Sequence, residues 1–370
     1  MNIYIIAGEA SGDLHGGNLI LALKKQNPSL NIRAWGGDNM EQAGAELVKH
    51  YKNLAFMGFV EVLRNFPGIL KNFQFAQADI LQYQPDRLIL IDYPGFNLRI
   101  AKWAHQHNIP VVYYILPQIW AWHSGRIKYL RKYTRLRLAI LPFEKSYYQA
   151  KKLNVHYVGH PLVAHVENYK QMHDSPPKTN REESQDSKGS IALLPGSRLQ
   201  ELKKHLPLLI PLVQRYPDLH FELAVAPGLP EELSESLKQS FPGNCTIKRN
   251  TYGILHRAKI AVVCSGTATL ETALFQVPQI VFYRTNILNY LLAKLWLKVH
   301  YVSLVNLILQ KPLLKEIVHP LNQKEKLIQS FEALLTNEHQ ENIRSGYREI
   351  HEKLGPEDAS VTCSKLFFNM

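Results

Sequence analysis

The decapeptide LILIDYPGFN, residues 88–97, runs four aliphatic residues into Asp92, Tyr93 and a Pro94-Gly95 turn. A carboxylate at the tip of an apolar strand can cap the turn that follows or take a proton from a bound hydroxyl, and the sequence alone allows both. Three glycine-bearing turns also leave apolar runs and open helical patterns: Gly8 to Gly12 in AGEASGD, Gly196 in LLPGSRLQE and Gly266 in VVCSGTATLE. Unpaired N–H groups and the positive end of the helix dipole at such a turn suit an anion. In the second turn Gly196 permits close backbone approach, Ser197 can cap or bond an oxygen, and Arg198 offers a two-pronged donor to phosphate. An ordinary capped helix would read the same way. In the third, Glu271 falls five residues past Gly266, where it can accept two ribose hydroxyls or merely complement the dipole. His15, one turn into the first predicted helix, is the rival base to Asp92, although histidines so placed are commonly polar surface groups.

These residues need elements to hold them. IYIIA (3–7), DRLILID (86–92), IPVVYYIL (109–116) and LAIL (138–141) alternate with helical patterns, and alternation resumes with SIALLPGSR, HFELAVAPG, KIAVVCSGTATLE and PQIVFYR. Strand-helix alternation implies parallel βαβ units, so the chain reads as an α/β protein of two Rossmann-like halves. The polar tract NYKQMHDSPPKTNREESQDSKGS, 168–190, reads as the hinge or a long loop between them. Two doubly wound halves put the reaction in the cleft between them, at the carboxyl ends of the strands, where Asp92 and the segment Glu9 to Asp13 both lie. AGEASGD lacks GxGxxG and has no lone acid ending a second strand, which argues against a dehydrogenase.

Composition narrows the partners. With 370 residues, 46% of them hydrophobic and 20% charged, the chain is globular and long enough for two cores. A net charge of +12 favours an acidic partner: phosphorylated substrate, anionic lipid or nucleic acid. No helix-turn-helix, zinc or aromatic-basic motif supports nucleic acid. Cys245, Cys264 and Cys363 have no metal-ligand spacing and suggest a reducing cytoplasm, and the start of the chain lacks the marks of a signal peptide. The apolar stretch 287–309 carries Lys294 and Lys298 in its middle, each costing roughly 2.5 to 3.5 kcal/mol to insert, so it is expected to lie on a lipid or protein surface. Phe59, Leu63, Phe66, Leu70 and Phe73 share helical spacing across a Pro67-Gly68 break, as a core stripe or as an acyl-binding and membrane patch. In GRIKYLRKYTRLRL, 125–138, Lys128, Arg131, Lys132 and Arg135 line one predicted helix face, which could be merely solvated or could meet anionic lipid.

GEASGD, IDYPGFN, PQIWAW, LPFEK, GHPL, LPGSRLQE, GTATLE and VFYR, in this order from residue 3 to about residue 320, resemble the lipid-A-disaccharide synthase family, glycosyltransferases of lipid A biosynthesis. The resemblance implies a GT-B fold, two facing Rossmann-like domains with a cleft between them, and neither metal nor cofactor. It implies inverting transfer of 2,3-diacylglucosamine from UDP to 2,3-diacylglucosamine 1-phosphate (lipid X), at the cytoplasmic face of an anionic inner membrane to which the enzyme attaches peripherally. The family's essential carboxylate falls on Asp92. Its UDP-sugar motifs fall on Gly196, Ser197, Arg198, Glu201, Thr267, Glu271, Tyr283 and Arg284, with Asn306 and Glu316 as a later polar pair. Glu9, Ser11, Asp13, His15, Asn97, His123 and Arg126 are the candidates for the acceptor side. The resemblance departs at Gly95, where the family often has a second acid, and at His123, where it commonly has Arg or Lys.

On this reading residues 1–170 form the acceptor and lipid-side domain, 171–190 the linker, and 191–345 the UDP-sugar domain. Residues 346–370 form a C-terminal helix packing back toward the first domain. A second copy of the chain is a candidate partner. The rival readings are an enzyme like UDP-N-acetylglucosamine 2-epimerase on the same fold, which would need further catalytic acids and no lipid surface, and a basic nucleic-acid-binding protein.

Overall fold

Each apolar run is separated from the next by a helix, so the strands pair in parallel and need apolar cover on both faces. The computed structural model describes all residues except 54–65, 122–123, 174–188, 227, 297–299 and 356–357. Its first sheet comprises β1 (Asn2–Ala7), β2 (Asn31–Gly36), β3 (Glu46–His50), β4 (Arg87–Ile91), β5 (Val111–Tyr114), β6 (Leu136–Ala139) and β7 (His156–Tyr157), in the order β3-β2-β1-β4-β5-β6-β7. The second comprises β8 (Ser190–Leu194), β9 (Phe221–Ala224), β10 (Cys245–Lys248), β11 (Ala258–Cys264), β12 (Gln279–Phe282) and β13 (Glu316–Ile317), in the order β10-β9-β8-β11-β12-β13. In both, the order reverses beside the first strand, between β1 and β4 and between β8 and β11. Topological switch points of this kind open a crevice at the carboxyl ends of the strands.

The chain divides into two units, Met1–Pro161 with Glu357–Met370, and Leu162–Pro356. In the first, period-two alternation splits β1 between two cores. Ile3, Ile5 and Ala7 pack with Leu19, Ile20 and the C-terminal residues Cys363 and Phe367, while Tyr4 and Ile6 pack with Leu88, Leu90, Ile100 and Tyr113 on the other face. The helix Ala359–Phe368 lies against the helix Ala10–Gln26, and Ser364 Oγ donates to the Ala22 carbonyl at 3.2 Å. In the second unit Ile191, Leu193, Val262 and Ile280 are buried on one face of the sheet and Leu194, Val263 and Val281 on the other, and the helix Leu199–Arg215 buries Leu202, Leu208, Leu209 and Leu212.

Several local expectations are corrected. The tract 168–190 begins as helix, since Pro161–His173 is continuous; its residues 174–188 lie outside the described residues. Pro67-Gly68 lies in the first described turn of the helix Phe66–Tyr83, where proline's missing N–H is harmless, and the residues before it, 54–65, lie outside the described residues. Phe73 of the apolar stripe packs on Phe96 at 5.9 Å and belongs to the core cluster, whereas Leu70 is exposed; Phe59, Leu63 and the Phe66 side chain lie outside the described residues. The basic helix ends at Tyr133, and Arg135 enters the sheet by donating its N–H to Val111 O; Lys128, Arg131, Lys132 and Arg135 are all exposed. The stretch 287–309 divides. Ile287–Trp296 is a helix exposing Ile287, Leu291 and Leu295, and Leu304–Leu309 is a second helix whose Val305, Ile308 and Leu309 are core. Among the described residues no helix is long and apolar enough to cross a membrane.

Candidate active site

At the carboxyl end of β4, Asp92 (φ 45°) and Tyr93 (φ 47°) both adopt the left-handed conformation, which costs a non-glycine residue about 1–3 kcal/mol. Neighbouring groups over-determine the turn. Asn97, fully buried, donates from Nδ2 to Ile91 O at 3.1 Å and Asp92 O at 2.8 Å. Tyr113 OH donates to Asp92 O at 2.7 Å, and the Asp92 N–H donates to Tyr114 O at 3.0 Å. Tyr93's ring lies over Gly8, where a Cβ would come within 2.5 Å of it, so glycine is required at the end of β1. No side chain caps the helix Pro94–Gln106. The Asp92 side chain makes no helix-cap bond, its backbone is held, and its carboxylate meets the Tyr93 amide at the sheet edge.

Burial pushes the Asp92 carboxyl up to about 7, the negative charge of Glu9 adds to the rise, and the Tyr93 amide opposes it. Glu9 is partly buried and Ser11 is exposed. Asp13 is occupied elsewhere. Its oxygens accept from the N–H groups of Gly37 (2.6 Å), Asn39 (3.1 Å) and Met40 (3.1 Å) and from Asn39 Nδ2 (2.7 Å). It accepts from the first turn of the helix Asp38–Gln42, which packs beside its own helix, and is committed there. His15 is buried and stands near His160, whose pKa falls to about 3 through burial and the charge of His15. Arg126 lies within electrostatic reach of Tyr113, and His123 lies outside the described residues.

A third acid, not singled out from the sequence, completes this edge. Glu144 is buried in the first turn of the helix Pro142–Ala150; its Oε2 accepts from the Leu141 N–H and its Oε1 from Trp120 Nε1, both at 3.1 Å. Burial raises its pKa to about 7 against the opposing Leu141 and Trp120 bonds, and the Asp92 charge adds to the rise. Its signal lay in LPFEK, where an acid three residues after a helix entry can reach back to the N-cap amide.

The second sheet's carboxyl edge differs in chemistry. Gly196 has φ 116° and a Cβ there would sit 2.7 Å from Glu201 Oε2, so the turn needs glycine. Arg198, exposed, reaches Glu201 Oε1 at 3.4 Å, and Ser197 is exposed. Tyr283, just beyond β12, has its pKa raised by burial and by Glu201, while Arg198 opposes the rise, so these three side chains share one electrostatic neighbourhood. Arg284 donates from Nη1 to Lys204 O at 3.3 Å, tying it to the same helix. Thr267 is exposed at the entry to the helix Ala268–Leu274, after Gly266 with φ 150°.

Glu271 sits apart with an aromatic group. Tyr252 OH donates to its Oε1 at 2.8 Å, and Tyr252 packs edge-on against Phe275, Tyr169 and His165. Burial raises the Glu271 pKa and the Tyr252 bond opposes it. Asn306 and Glu316 form an internal lattice. Glu316 accepts from the N–H groups of Val302 and Ser303, from Ser303 Oγ and from Asn306 Nδ2 at 2.7–3.0 Å, and Asn306 also exchanges bonds with both backbone groups of Leu314. Ser265 Oγ donates to Val302 O at 2.9 Å, which fastens this lattice to the turn after β11. The pair expected among the ligand contacts is thus bound up in shaping the loop behind them. Among the described residues no group of His, Cys, Asp and Glu side chains could hold a metal ion.

Two parallel doubly wound sheets with glycine turns at both carboxyl edges define the GT-B class. The solved UDP-GlcNAc 2-epimerase of Neisseria meningitidis, bound to UDP-GlcNAc, has this fold: it matches with a TM-score of 0.69 over 100% of both chains at 13% identity. The lipid-A-disaccharide synthetase family model matches residues 3–364. The lipid-A-disaccharide synthase of Syntrophus aciditrophicus is 35% identical over 366 residues, spanning 95% of this chain and 93% of its own length. That of Geobacter sulfurreducens is 31% identical over 380 residues, spanning 100% and 97%. The chain belongs to the lipid-A-disaccharide synthase family of glycosyltransferases.

Proposed function

We propose that the chain transfers 2,3-diacylglucosamine from its UDP conjugate to 2,3-diacylglucosamine 1-phosphate, releasing UDP and a β-1,6-linked disaccharide 1-phosphate. The full-length family match carries this reading. The likeness to a 2-epimerase reaches only the fold. In the reaction the acceptor's primary hydroxyl oxygen attacks the anomeric carbon, the bond from that carbon to the phosphate oxygen breaks with its electron pair leaving on UDP, and Asp92 takes the hydroxyl proton. A carboxylate whose pKa is about 7 is ionised to a useful extent at neutral pH and yet holds the proton it receives. The strained turn supports this role, because it fixes the backbone without drawing the carboxylate into an ion pair that would weaken it as a base.

On the donor side, the Gly196 turn and Arg198 counter the charge that develops on the leaving diphosphate. Glu271 takes the ribose hydroxyls with the oxygen that Tyr252 does not hold, and Thr267, Tyr283 and Arg284 complete the donor contacts. Glu9 and Ser11 serve the acceptor. Exposed Leu70 and the Ile287, Leu291 and Leu295 stripe, together with the exposed basic residues from Lys128 to Arg135, bring the enzyme to an anionic bilayer that holds its substrates, at about 1 kcal/mol per basic residue near the surface. Vesicle binding that does not weaken from low to high salt would remove the electrostatic half of that attachment.

The deciding assay supplies both diacylated sugars in detergent micelles and follows the disaccharide and UDP in equal amounts. UDP-N-acetylglucosamine alone should return unchanged; its conversion to the 2-epimer, with no disaccharide from the lipid pair, would overturn the transferase reading.

A further inference from the structure

His205 lies in the second turn of the helix Leu199–Arg215 and is completely buried. Its two ring nitrogens join two separate segments of the second sheet's carboxyl edge. The Arg284 N–H donates to Nε2 at 3.1 Å, and Nδ1 lies 2.6 Å from Pro195 O. A backbone N–H can only donate, so Nε2 carries no proton. Nδ1 must then carry it and donate to Pro195 O, which fixes the tautomer. The ring is also packed edge-on between Phe282 at 4.9 Å and Tyr283 at 5.4 Å.

A buried imidazole bonded at both nitrogens sets the separation of the two segments that it joins. One is the turn Pro195 to Arg198 after β8. The other is Tyr283-Arg284 after β12. We propose that His205 is a positioning residue of the donor site: it acts as a neutral, tautomer-locked strut that holds the Arg284 segment in register with the Gly196–Arg198 turn, so that the two grip one diphosphate together. This rests on the proposed role of both segments in binding the UDP-sugar.

Three observations fit a strut better than ordinary core packing. An apolar side chain would fill the space but would leave the Arg284 N–H and the Pro195 carbonyl without their partners. The same helix holds Arg284 a second time, through Nη1 to Lys204 O, so the segment is fastened by backbone and side chain on adjacent residues. Burial lowers the His205 pKa, which the Pro195 bond and Glu201 oppose and which Lys204 and Arg284 reinforce; this keeps the ring in the neutral form that the Arg284 bond needs. Protonation would turn Nε2 into a donor facing another donor.

The test separates the two bonds. His205→Leu removes both at similar volume. His205→Asn places an amide nitrogen where Nδ1 is, keeping the Pro195 bond, and His205→Gln places an amide oxygen where Nε2 is, keeping the Arg284 bond. UDP affinity is measured by calorimetry, donor KM, acceptor KM and kcat by the disaccharide assay, and Tm by calorimetric scan. The expected result is a UDP Kd and donor KM raised about tenfold or more in the Leu variant and by less in the Asn and Gln variants, each of which keeps one of the two bonds, with acceptor KM near that of the natural enzyme. UDP binding unchanged in all three folded variants would overturn the inference. So would losses in donor KM, acceptor KM and kcat that follow Tm together without rescue by Gln, because that is the pattern of a merely structural residue. If the natural enzyme itself fails to bind UDP, the donor-site assignment fails instead.

Discussion

At the first sheet's carboxyl edge the groups that meet are Glu9, Asp92 and Glu144, and burial and like charge push the latter two carboxyls up to about 7. At the second sheet's edge Arg198 follows the Gly196 turn of positive φ and shares Glu201, and Arg284 is tied to the helix that this turn opens. Both edges come from one topology, with a strand-order reversal beside the first strand. What differs is the charge assembled at the reversal. An edge dominated by buried acids can move a proton; an edge of guanidiniums and backbone N–H groups can hold a diphosphate. On the proposed function, one architecture used twice divides a group transfer into its two electrostatic halves.

The contrast breaks most visibly at Asp92. Asp92→Asn keeps the shape and removes the base, so kcat should fall about 10²- to 10⁴-fold with donor KM little changed. A base works ionised, so the natural enzyme should lose activity about tenfold per pH unit below roughly 7. Near-natural turnover in the variant, or an acid limb near 4, would return Asp92 to a structural role. Arg198→Ala should act on the other half. Losing a charge-assisted bond to phosphate should raise donor KM and UDP Kd about 10- to 100-fold with a smaller change in kcat. An equal fall in kcat with donor KM unmoved would blur the division. The smallest effect is expected from Glu9→Gln. It removes the negative charge that helps raise Asp92, so the acid limb of the pH profile, measured at saturating acceptor, should move below 7; a limb that stays in place would show that the Glu9 charge does not set the Asp92 pKa.

Legibility in the sequence followed apolar content. β1, β4, β5, β6, β8, β9, β11 and β12 were visible because central parallel strands are buried on both faces and read as apolar runs. β3, β7, β10 and β13 lie toward or at the sheet edges, are short or polar, and gave no such run; β2 carries Arg33, which pairs with Asp79 at 2.6 Å from the helix Phe66–Tyr83. Turn residues were legible where glycine was compulsory, as at Gly8 and Gly196. Site acids were legible as candidates, Asp92 foremost, but their surroundings were not. Asp13, Asp92 and Glu144 all lie just past strand ends, and sequence offers no means of telling a carboxylate that receives four bonds from one that receives a single neighbouring amide.

The sequence by itself determined the parallel α/β class, the two halves and the family, because periodicity, glycine turns and ordered motifs are local properties of the chain. Tertiary structure alone decided which polar residues are spent. Asp13 is used by the amides of residues 37–40 and Glu316 by those of residues 302–303, while the Asp92 carboxylate stands behind a turn that Asn97 and Tyr113 hold in place. Hydrogen-bond partners and desolvation are set by groups far away along the chain, and they separate an acid held by four donors, Asp13, from one pushed up to about 7, Asp92.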